Sequence, residues 1–336
     1  MADLKYDAIV IGSGSGMFVV YEGVFRGLRV ALVDKGPLGG TCPNLGCIPS
    51  KMLMFPADRI VEIRDAAKLG IDATIRHVDF GLIMDRMRNS VEHAERQLGD
   101  SLMQLQGMDL YEGEGQFTQD GKIRVKDTCL SADRVFIATG SRPLIPDIPG
   151  LQEIEFLTTE SLLGLTRLPK SLAILGGGYI GVEYAHFFSA MGTSVTLIEA
   201  ADRLVPGEEP EIAALLLRAL RTRMQVLTDI EVERVDKGLR DVRLLTKERT
   251  SGAHFTVTAD AVMLATGRRS NADLLNVQAA GVETDSRGFI PVNECLETNV
   301  PGVYAIGDAN GKYMFRHIAN IEADVAARNA FGEIGR

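Results

Sequence analysis

The chain has 336 residues, a length that is enough for two domains with substantial cores. Its content of 46% apolar and 24% charged residues is ordinary for a globular protein. Its net charge of −9 argues against nucleic acid or an anionic membrane surface as the main partner, and no stretch is apolar over the length of a membrane span. The cysteines have no framework spacing and residues 1–10 lack a secretion-signal pattern, so we expect a cytoplasmic protein.

Residues 6–34 have the order strand, glycine turn, helix, strand that is typical of a nucleotide-binding βαβ unit. An apolar strand is predicted at 6–11, a helix at 17–26 and a second strand at 29–33. Such a turn lets backbone N–H groups approach a pyrophosphate at the N-terminus of the helix. The segment therefore predicts a bound nucleotide.

The glycine turn of this unit contains Gly12, Gly14 and Gly16. Asp34 follows Gly12 by 22 residues, which is the separation expected for a carboxylate that bonds a ribose hydroxyl. Met17 stands where the pattern G-x-G-x-x-G requires its third glycine. Because that glycine serves helix–strand packing, its absence questions the packing more than the phosphate contact.

Two cysteines, Cys42 and Cys47, lie in a glycine-containing segment with four residues between them. Pro49 suits the first turn of a helix, so Cys47 is predicted at a helix N-terminus, where the dipole lowers the pKa of a thiol. A pair so placed can open and close a disulfide during turnover. Half of a zinc site and two buried thiols are the alternatives, but zinc needs two further ligands and the other two cysteines are isolated.

The middle of the chain is predicted to pack rather than to react. Helical apolar repeats cover 52–68 and 80–105, and short strands with glycine turns cover 108–125. A buried strand at 134–138 ends in the small turn formed by Thr139 and Gly140.

A second βαβ unit follows a proline-rich linker at 143–150. Its predicted elements are a strand at 171–175, a glycine turn at 176–181, a helix that ends near residue 191 and a strand at 194–198. This turn satisfies G-x-G-x-x-G in full, and Glu199 lies 23 residues after its first glycine. Another apolar strand at 261–264 ends, like the strand of the first unit, in Ala-Thr-Gly.

The segment ending in Cys-Ile-Pro-Ser-Lys at 47–51 resembles the redox-active disulfide segment of the flavin-linked pyridine nucleotide-disulfide oxidoreductases, and looks most like dihydrolipoamide dehydrogenase. The resemblance covers essentially the whole chain. It implies an α/β fold of two Rossmann-like domains with three-layer sheets: an FAD-binding domain with the disulfide at 1–148, an inserted NAD-binding domain at 149–270, and a return segment completing the FAD site at 271–336. Members of the family continue into a C-terminal domain that makes a homodimer, and we expect that domain to be absent from these 336 residues.

The same resemblance implies roles for five side chains. Cys47 is the thiol nearest the flavin, and Cys42 exchanges with the substrate. Lys51 lies beside the reactive edge of the flavin and pairs with Glu183. Tyr179 covers the nicotinamide pocket until the cofactor enters.

Two nucleotide units imply two nucleotides, FAD beside the cysteines and a nicotinamide cofactor in the second unit. Glu199 favours NAD over NADP, because a carboxylate repels the 2′-phosphate of NADP, although Arg203 weakens this argument. In the resembled family an Asp in the place of Asp308 bonds the ribityl chain of FAD. No metal ligand is predicted. The predicted cofactor-binding residues are Gly12, Gly14, Gly16, Asp34, Gly40, Thr41, Lys51, Thr139, Gly140, Gly307, Asp308, Gly176, Gly178, Gly181, Glu199 and Gly267.

The predicted function is dihydrolipoamide:NAD⁺ oxidoreduction, in which electrons pass from a dithiol through Cys42 and Cys47 to FAD and then to NAD⁺. The expected partner is a small or protein-bound dithiol such as a lipoyl group. Mercuric, mycothiol-disulfide and glutathione reductases are the alternatives within the family. A flavin NADH oxidase or diaphorase without a thiol substrate, and a nucleotide-binding protein without catalysis, are the alternatives outside it.

Overall fold

The computed structural model describes residues 3–332, whose contacts divide the chain into two compact units. Unit 1 takes in the residues up to 44, residues 91–142 and those from 268 onward, and unit 2 takes in 45–90 and 143–267. The predicted domain ranges begin at residue 1 and end at 336, so residues 1–2 and 333–336 of those ranges lie outside the described residues. The three ranges stay predictions, with FAD at 1–148, NAD at 149–270 and a return segment at 271–336 that completes the FAD site.

The described residues form both α-helices and β-strands, and each βαβ unit has the element order that the sequence predicts. The helices are, in chain order, α1 (Gly16–Phe25), α2 (Thr41–Leu45), α3 (Cys47–Asp65), α4 (Phe80–Met103), α5 (Tyr179–Met191), α6 (Pro210–Arg221) and α7 (Arg316–Phe331). The strands are β1 (Asp3–Tyr6), β2 (Ala8–Ile11), β3 (Val30–Asp34), β4 (Met108–Glu112), β5 (Gly115–Phe117), β6 (Ile123–Val125), β7 (Thr128–Ala132), β8 (Val135–Ile137), β9 (Ser141–Pro143), β10 (Ser171–Leu175), β11 (Ser194–Ile198), β12 (Gln225–Leu227), β13 (Ile230–Lys237), β14 (Val242–Glu248), β15 (His254–Ala259), β16 (Ala261–Leu264), β17 (Arg268–Ser270) and β18 (Val303–Ala305).

Unit 1 is built on a parallel sheet in the order β18-β8-β2-β3-β4. The strand residues are buried on both faces and alternate between two apolar clusters, as the two-residue period of a strand requires. Val10 and Leu32 pack with α1 and α7, whereas Ile9 and Val33 pack with the smaller sheet β1-β7-β6-β5. Helices, central sheet and outer sheet therefore form three layers, and the predicted α/β class is confirmed.

The single strand predicted at 6–11 is wrong in one respect, because the chain changes sheets at Asp7. Strand β1 pairs with β7, and β2 pairs with β3 and β8. The exposed Asp7 accepts a hydrogen bond from the backbone N–H of Arg29 at 2.8 Å, and its own N–H donates to the Arg29 carbonyl at 2.9 Å. These two bonds lie where the backbone leaves β1 after Tyr6 and enters the apolar strand β2.

The packing of α1 onto the sheet depends on Gly16 rather than on residue 17. A Cβ atom at Gly16 would lie 2.8 Å from a methyl group of Val10 and 2.9 Å from the Cβ of Ala138. The side chain of Met17 is only 6% exposed and belongs to the apolar cluster of α1 and α7. The packing of α1 on the sheet therefore does not need a glycine at position 17, because Gly16 allows the helix to approach Val10 and Ala138 closely.

Unit 2 contains a parallel sheet in the order β12-β11-β10-β16 and an antiparallel sheet in the order β13-β14-β15. Apolar residues of β10, β11 and β16 pack against β13, β14 and β15. Helix α5 packs on β10 and β11, and α3 packs against α5. The helix predicted after Cys47 is confirmed, since α3 begins at that residue and Pro49 lies in its first turn.

Candidate functional site

The glycine loop of unit 1 is held in a conformation that only glycine adopts easily. Gly12 has φ +107°, and a Cβ atom there would lie 2.3 Å from the carbonyl oxygen of Ala138. Gly40, at φ +75°, approaches the same loop so closely that a Cβ atom would lie 2.7 Å from the Cα of Gly14. These contacts leave no room for a side chain at Gly12 or Gly40, and the tight loop they produce precedes the N-terminus of α1, where a nucleotide phosphate would bind.

Asp34 ties the end of β3 to this loop. One carboxylate oxygen accepts the N–H of Ser13 at 2.6 Å, and the other accepts the N–H of Gly36 at 2.6 Å. The hydroxyl of Ser13 in turn accepts the N–H of Gly39 at 2.8 Å. The acid predicted to bind a ribose therefore lies at the glycine loop and is oriented by two backbone donors.

The residues of unit 1 fit a bound dinucleotide in one further respect. The hydroxyl of Thr139 is buried and has no hydrogen-bond partner among residues 3–332. It lies in the turn that touches Gly12, whose hypothetical Cβ atom would be 3.2 Å from the Thr139 nitrogen. A buried hydroxyl costs free energy unless it is bonded, so its place beside the loop suits a ligand that supplies the partner. Gly140 follows at φ +66°, and Thr41 is the first residue of α2.

Asp308 lies in the short 3₁₀ turn Gly307–Ala309 and is held by residues that the sequence analysis missed. Its carboxylate accepts a hydrogen bond from the hydroxyl of Ser141 and lies 3.6 Å from the Arg268 guanidinium. Arg268 also donates to the hydroxyl and the carbonyl of Ser141, at 2.6 and 2.7 Å. The predicted ribityl ligand is therefore fixed in position by a network that spans more than a hundred residues of sequence.

Gly307 is fixed by the buried carboxylate of Glu322. Its N–H donates to Glu322 of α7 at 2.6 Å, and the amide of Asn310 donates to the same carboxylate at 3.0 Å. Burial raises the pKa of the Glu322 carboxyl, against the lowering effect of these two hydrogen bonds. Glu322 thus orders the turn that carries Asp308.

The glycine loop of unit 2 repeats the geometry of the first. Gly176 has φ +106°, and a Cβ atom there would lie 2.2 Å from the carbonyl oxygen of Ala265. A Cβ atom at Gly181 would lie 1.8 Å from the Gly176 carbonyl oxygen. Glu199 accepts the N–H of Gly177 with one oxygen and the N–H of Ala201, at 2.7 Å, with the other. Glu199 therefore occupies in unit 2 the position that Asp34 occupies in unit 1.

The two Ala-Thr-Gly turns differ in their threonines. The Thr266 hydroxyl donates to the carbonyl of Leu144 at 2.8 Å, whereas the Thr139 hydroxyl is unpartnered within the described chain. Gly267 follows at φ +115°, and Gly178 is the N-cap residue of α5 with open space around it. The two Ala-Thr-Gly turns therefore look alike in sequence but differ in whether the threonine hydroxyl has a hydrogen-bond partner within the described residues.

The predicted catalytic groups of unit 2 lie on α3 and α5. Cys47 is the exposed first residue of α3, and Lys51 follows one turn later. The ammonium of Lys51 donates to Glu183 of α5 at 2.5 Å. Both side chains are partly exposed, so this pair adds little to stability. Cys42 is half-buried on α2, in the part of the chain that belongs to unit 1.

Tyr179 begins α5 with its ring half exposed. Its hydroxyl donates to Glu208, and this bond raises the pKa of the Tyr179 phenol. The sequence analysis did not identify Glu208, which holds the ring predicted to cover the nicotinamide pocket.

The half-buried His186 of α5 lies in a polar cluster with two exposed side chains, Asp58 of α3 and Arg223, which follows α6. Nε2 of His186 donates to Asp58 at 3.0 Å, and Arg223 donates to Nδ1 of His186 at 2.8 Å. Because a guanidinium only donates, this arrangement fixes the neutral tautomer with the proton on Nε2. Burial, and after it the charge of Arg223, lowers the pKa of His186 below its ordinary value of 6.5, while Asp58 opposes the shift. His186 is therefore neutral at pH 7.

We expect this cluster to make the protein less stable in acid. The unfolded chain protonates His186 near pH 6.5, whereas the folded chain protonates it only at lower pH, so the free energy of unfolding falls as the pH drops below 6.5. His186→Gln should flatten that part of the profile, and the exposed His93→Gln should not. Urea unfolding between about pH 5 and 8 measures this. An unchanged slope for His186→Gln would show that other groups cause the acid sensitivity.

The described part of the chain contains no helix that is both long and apolar enough to cross a membrane.

Residues 6–323 match the family described as pyridine nucleotide-disulphide oxidoreductase. The chain is 34% identical to a mercuric reductase of Bacillus cereus, with 98% of this chain and 52% of the relative covered. It is also 34% identical to a dihydrolipoyl dehydrogenase of Acholeplasma laidlawii, with 97% and 96% covered.

Among solved structures, the chain resembles the HOCl-induced flavoprotein disulfide reductase RclA from Escherichia coli, with a TM-score of 0.86, 29% identity, and 98% of this chain and 72% of the other covered. The chain spans 52% to 61% of the length of the mercuric reductases that it matches. The family consists of FAD-containing enzymes that use a nicotinamide dinucleotide, in agreement with the predicted cofactors. The predicted family is therefore confirmed, and the chain belongs to the pyridine nucleotide-disulphide oxidoreductases.

Proposed function

We propose that the protein is an NADH-linked, FAD-dependent dithiol–disulfide oxidoreductase whose dithiol substrate is a dihydrolipoyl group. The observation that carries the proposal is the start of α3, where Cys47 precedes by one turn the lysine that pairs with Glu183. A thiol at a helix N-terminus is stabilised as a thiolate, the form that exchanges with disulfides.

In this proposal each named side chain has a limited task. Cys42 and Cys47 form a disulfide that an incoming dithiol reduces: the new substrate disulfide forms as the Cys42–Cys47 bond breaks, and two thiol protons are released or held nearby. Lys51 supplies positive charge near Cys47, and Glu183 orients that ammonium. When bound, FAD supplies two-electron transfer between a thiolate and a nicotinamide. Gly12, Asp34, Thr139 and Asp308 would hold FAD.

The second loop would hold the nicotinamide cofactor, and its charges favour NAD. Glu199 is held at the glycine loop by two backbone donors, which supports a role for its carboxylate in binding the adenosine ribose. The guanidinium of Arg203 donates to the carbonyl of Pro206 at 2.9 Å. Arg203 is therefore engaged with its own loop, which supports NAD over NADP.

We expect the unmodified protein to oxidise NADH in preference to NADPH, and Glu199→Gln to reduce that preference about tenfold. The amide of glutamine keeps an oxygen that can accept the N–H of Gly177, but it lacks the charge that repels the 2′-phosphate of NADPH. A hydrogen bond to a charged group contributes about 1.5 kcal/mol, which corresponds to a factor of about ten in the preference. The ratio of kcat/KM for the two cofactors measures it. Glu211→Gln, at an exposed site on α6, is the control. Equal rates with both cofactors in the unmodified protein would contradict the assignment.

The names of the relatives support a second candidate within the family, which is reduction of a metal ion or of another disulfide by NAD(P)H. Three mercuric reductases match this chain over 98% to 99% of its length. Steady-state rates with lipoamide, mercuric ion and mycothiol disulfide on one preparation distinguish these substrates. The highest kcat/KM identifies the substrate class.

An anaerobic titration of the FAD-loaded protein with dithionite tests the shared chemistry. A redox-active disulfide beside a flavin takes up twice as many electrons per flavin as a flavin alone. We expect the doubled uptake, and its loss in Cys42→Ser. If only the flavin of the unmodified protein takes up electrons, the protein is a diaphorase without a thiol substrate. If the protein does not retain FAD, it is a nucleotide-binding protein without catalysis.

A further inference from the structure

The hydroxyl of Tyr184 is an unused hydrogen-bond donor in the interior of unit 2. Tyr184 is 2% exposed and is among the largest fully buried side chains. Its hydroxyl has no hydrogen-bond partner within the described residues. A phenol buried without a partner loses its hydration and gains nothing in return, at a cost of about 1–3 kcal/mol. Phenylalanine would fill the same space without that cost, so the hydroxyl calls for an explanation.

The place of Tyr184 on α5 brings it near two acidic groups of the candidate site. Tyr184 follows Glu183 on α5, and α5 packs against α3, which begins at Cys47. Burial raises the pKa of the Tyr184 phenol, and the negative charges of Glu183 and Cys47 raise it further. The phenol therefore keeps its proton, and the two acidic groups that act on it are the carboxylate paired with Lys51 and the thiol at the helix start.

Of these two groups, Cys47 is the one whose charge changes. Glu183 already accepts a hydrogen bond from Lys51. A cysteine gains a negative charge when its disulfide is reduced and the thiol ionises. A buried O–H dipole that the fold holds in place stabilises such a charge without reorganising, which is the arrangement that favours a charged intermediate over the ground state.

We propose that Tyr184 is a positioning residue for the thiol chemistry, whose buried O–H group stabilises the Cys47 thiolate through one bridging water. The inference rests on the function proposed above, in which Cys47 ionises. It adds a residue to that function. The group that lowers the pKa of the thiol is then not only the helix N-terminus and Lys51 but also a phenol from the facing helix.

The test measures the pKa of Cys47 without turnover. Cys42→Ser leaves Cys47 as a thiol, and the rate of its alkylation by iodoacetamide against pH gives the midpoint of its ionisation in the FAD-loaded protein. Mass spectrometry of the peptide separates Cys47 from Cys129 and Cys295. Adding Tyr184→Phe should raise the midpoint by about one pH unit, so that alkylation well below the midpoint slows about tenfold.

Two further variants make the result specific. Tyr184→Met also lacks the hydroxyl and should give a shift in the same direction. Tyr304→Phe removes a buried phenol from β18 of unit 1 and should leave the midpoint unchanged. Because the Tyr184 hydroxyl is unpartnered, Tyr184→Phe should not lower the melting temperature.

An unchanged midpoint in Tyr184→Phe would overturn the inference, as would an equal shift in Tyr304→Phe. Neither result bears on the proposed function, because alkylation requires no electron transfer. Failure of the proposed function appears instead in the dithionite titration, as uptake by the flavin alone. The two failures are thus read from separate experiments.

Discussion

Replacing Cys47 with serine is expected to lower thiol–disulfide turnover about 10⁴-fold or more, the scale on which removal of a covalent nucleophile acts. Serine cannot form a disulfide, and its hydroxyl does not ionise near neutral pH. Oxidation of NADH by ferricyanide or a quinone requires only the two nucleotide sites, so it should remain within about threefold of the unmodified rate. The pair of assays on FAD-loaded protein therefore separates the thiol step from the nucleotide step.

The remaining cysteines provide the controls for this experiment. Cys129 is half-buried on β7 and Cys295 is exposed, and neither lies in a segment with predicted chemistry. Cys129→Ser and Cys295→Ser should leave both assays unchanged. Turnover of a disulfide substrate by Cys47→Ser at more than about one hundredth of the normal rate would show that Cys47 is not the essential thiol.

The second large effect is expected from the first glycine of each loop. Gly12→Ala places a Cβ atom 2.3 Å from the Ala138 carbonyl oxygen at φ +107°, and Gly176→Ala places one 2.2 Å from the Ala265 carbonyl oxygen at φ +106°. Neither contact can be relieved without moving backbone, and strain of this kind costs about 1–3 kcal/mol. We expect FAD to bind about ten- to a hundredfold more weakly to Gly12→Ala. Gly176→Ala should retain FAD, while its KM for NADH rises by a similar factor.

Equilibrium dialysis of FAD and steady-state kinetics with NADH measure these two effects independently. Gly164→Ala is the matched control, because Gly164 has open space around its Cα and no positive φ. If Gly12→Ala weakened NADH use and Gly176→Ala released FAD, the assignment of nucleotides to the two loops would be reversed.

The sequence was sufficient to predict the two glycine loops because each is a local pattern. Gly12 with Asp34, and Gly176 with Glu199, are linked by a spacing that one βαβ unit dictates, and the structure brings each acid to its loop. The helix that begins at Cys47 was predictable for the same reason, from a proline in its first turn.

The residues that the sequence analysis missed meet only through the tertiary fold. Ser141 and Asp308 are 167 residues apart, and Tyr179 and Glu208 are 29 residues apart with a strand between them. Apolar periodicity explains that Tyr184 is buried, but it carries no information about whether a hydroxyl finds a partner. The break at Asp7 was not predicted either, because Tyr6, the last residue of β1, and the residues of β2 follow one another in a single apolar stretch.

The packing of α3 against α5 also constrains how such a protein can diverge. Lys51, Glu183 and Tyr184 come from two helices in contact, whereas Glu199 lies in the loop after β11. A single substitution at Glu199 can change the nucleotide preference without disturbing the helix that carries the thiol. A change in thiol reactivity has to preserve the contact between the helices, and residues in contact have non-additive effects on stability. We therefore expect nucleotide preference to change among relatives by single steps, and thiol reactivity to change only with paired substitutions on both helices.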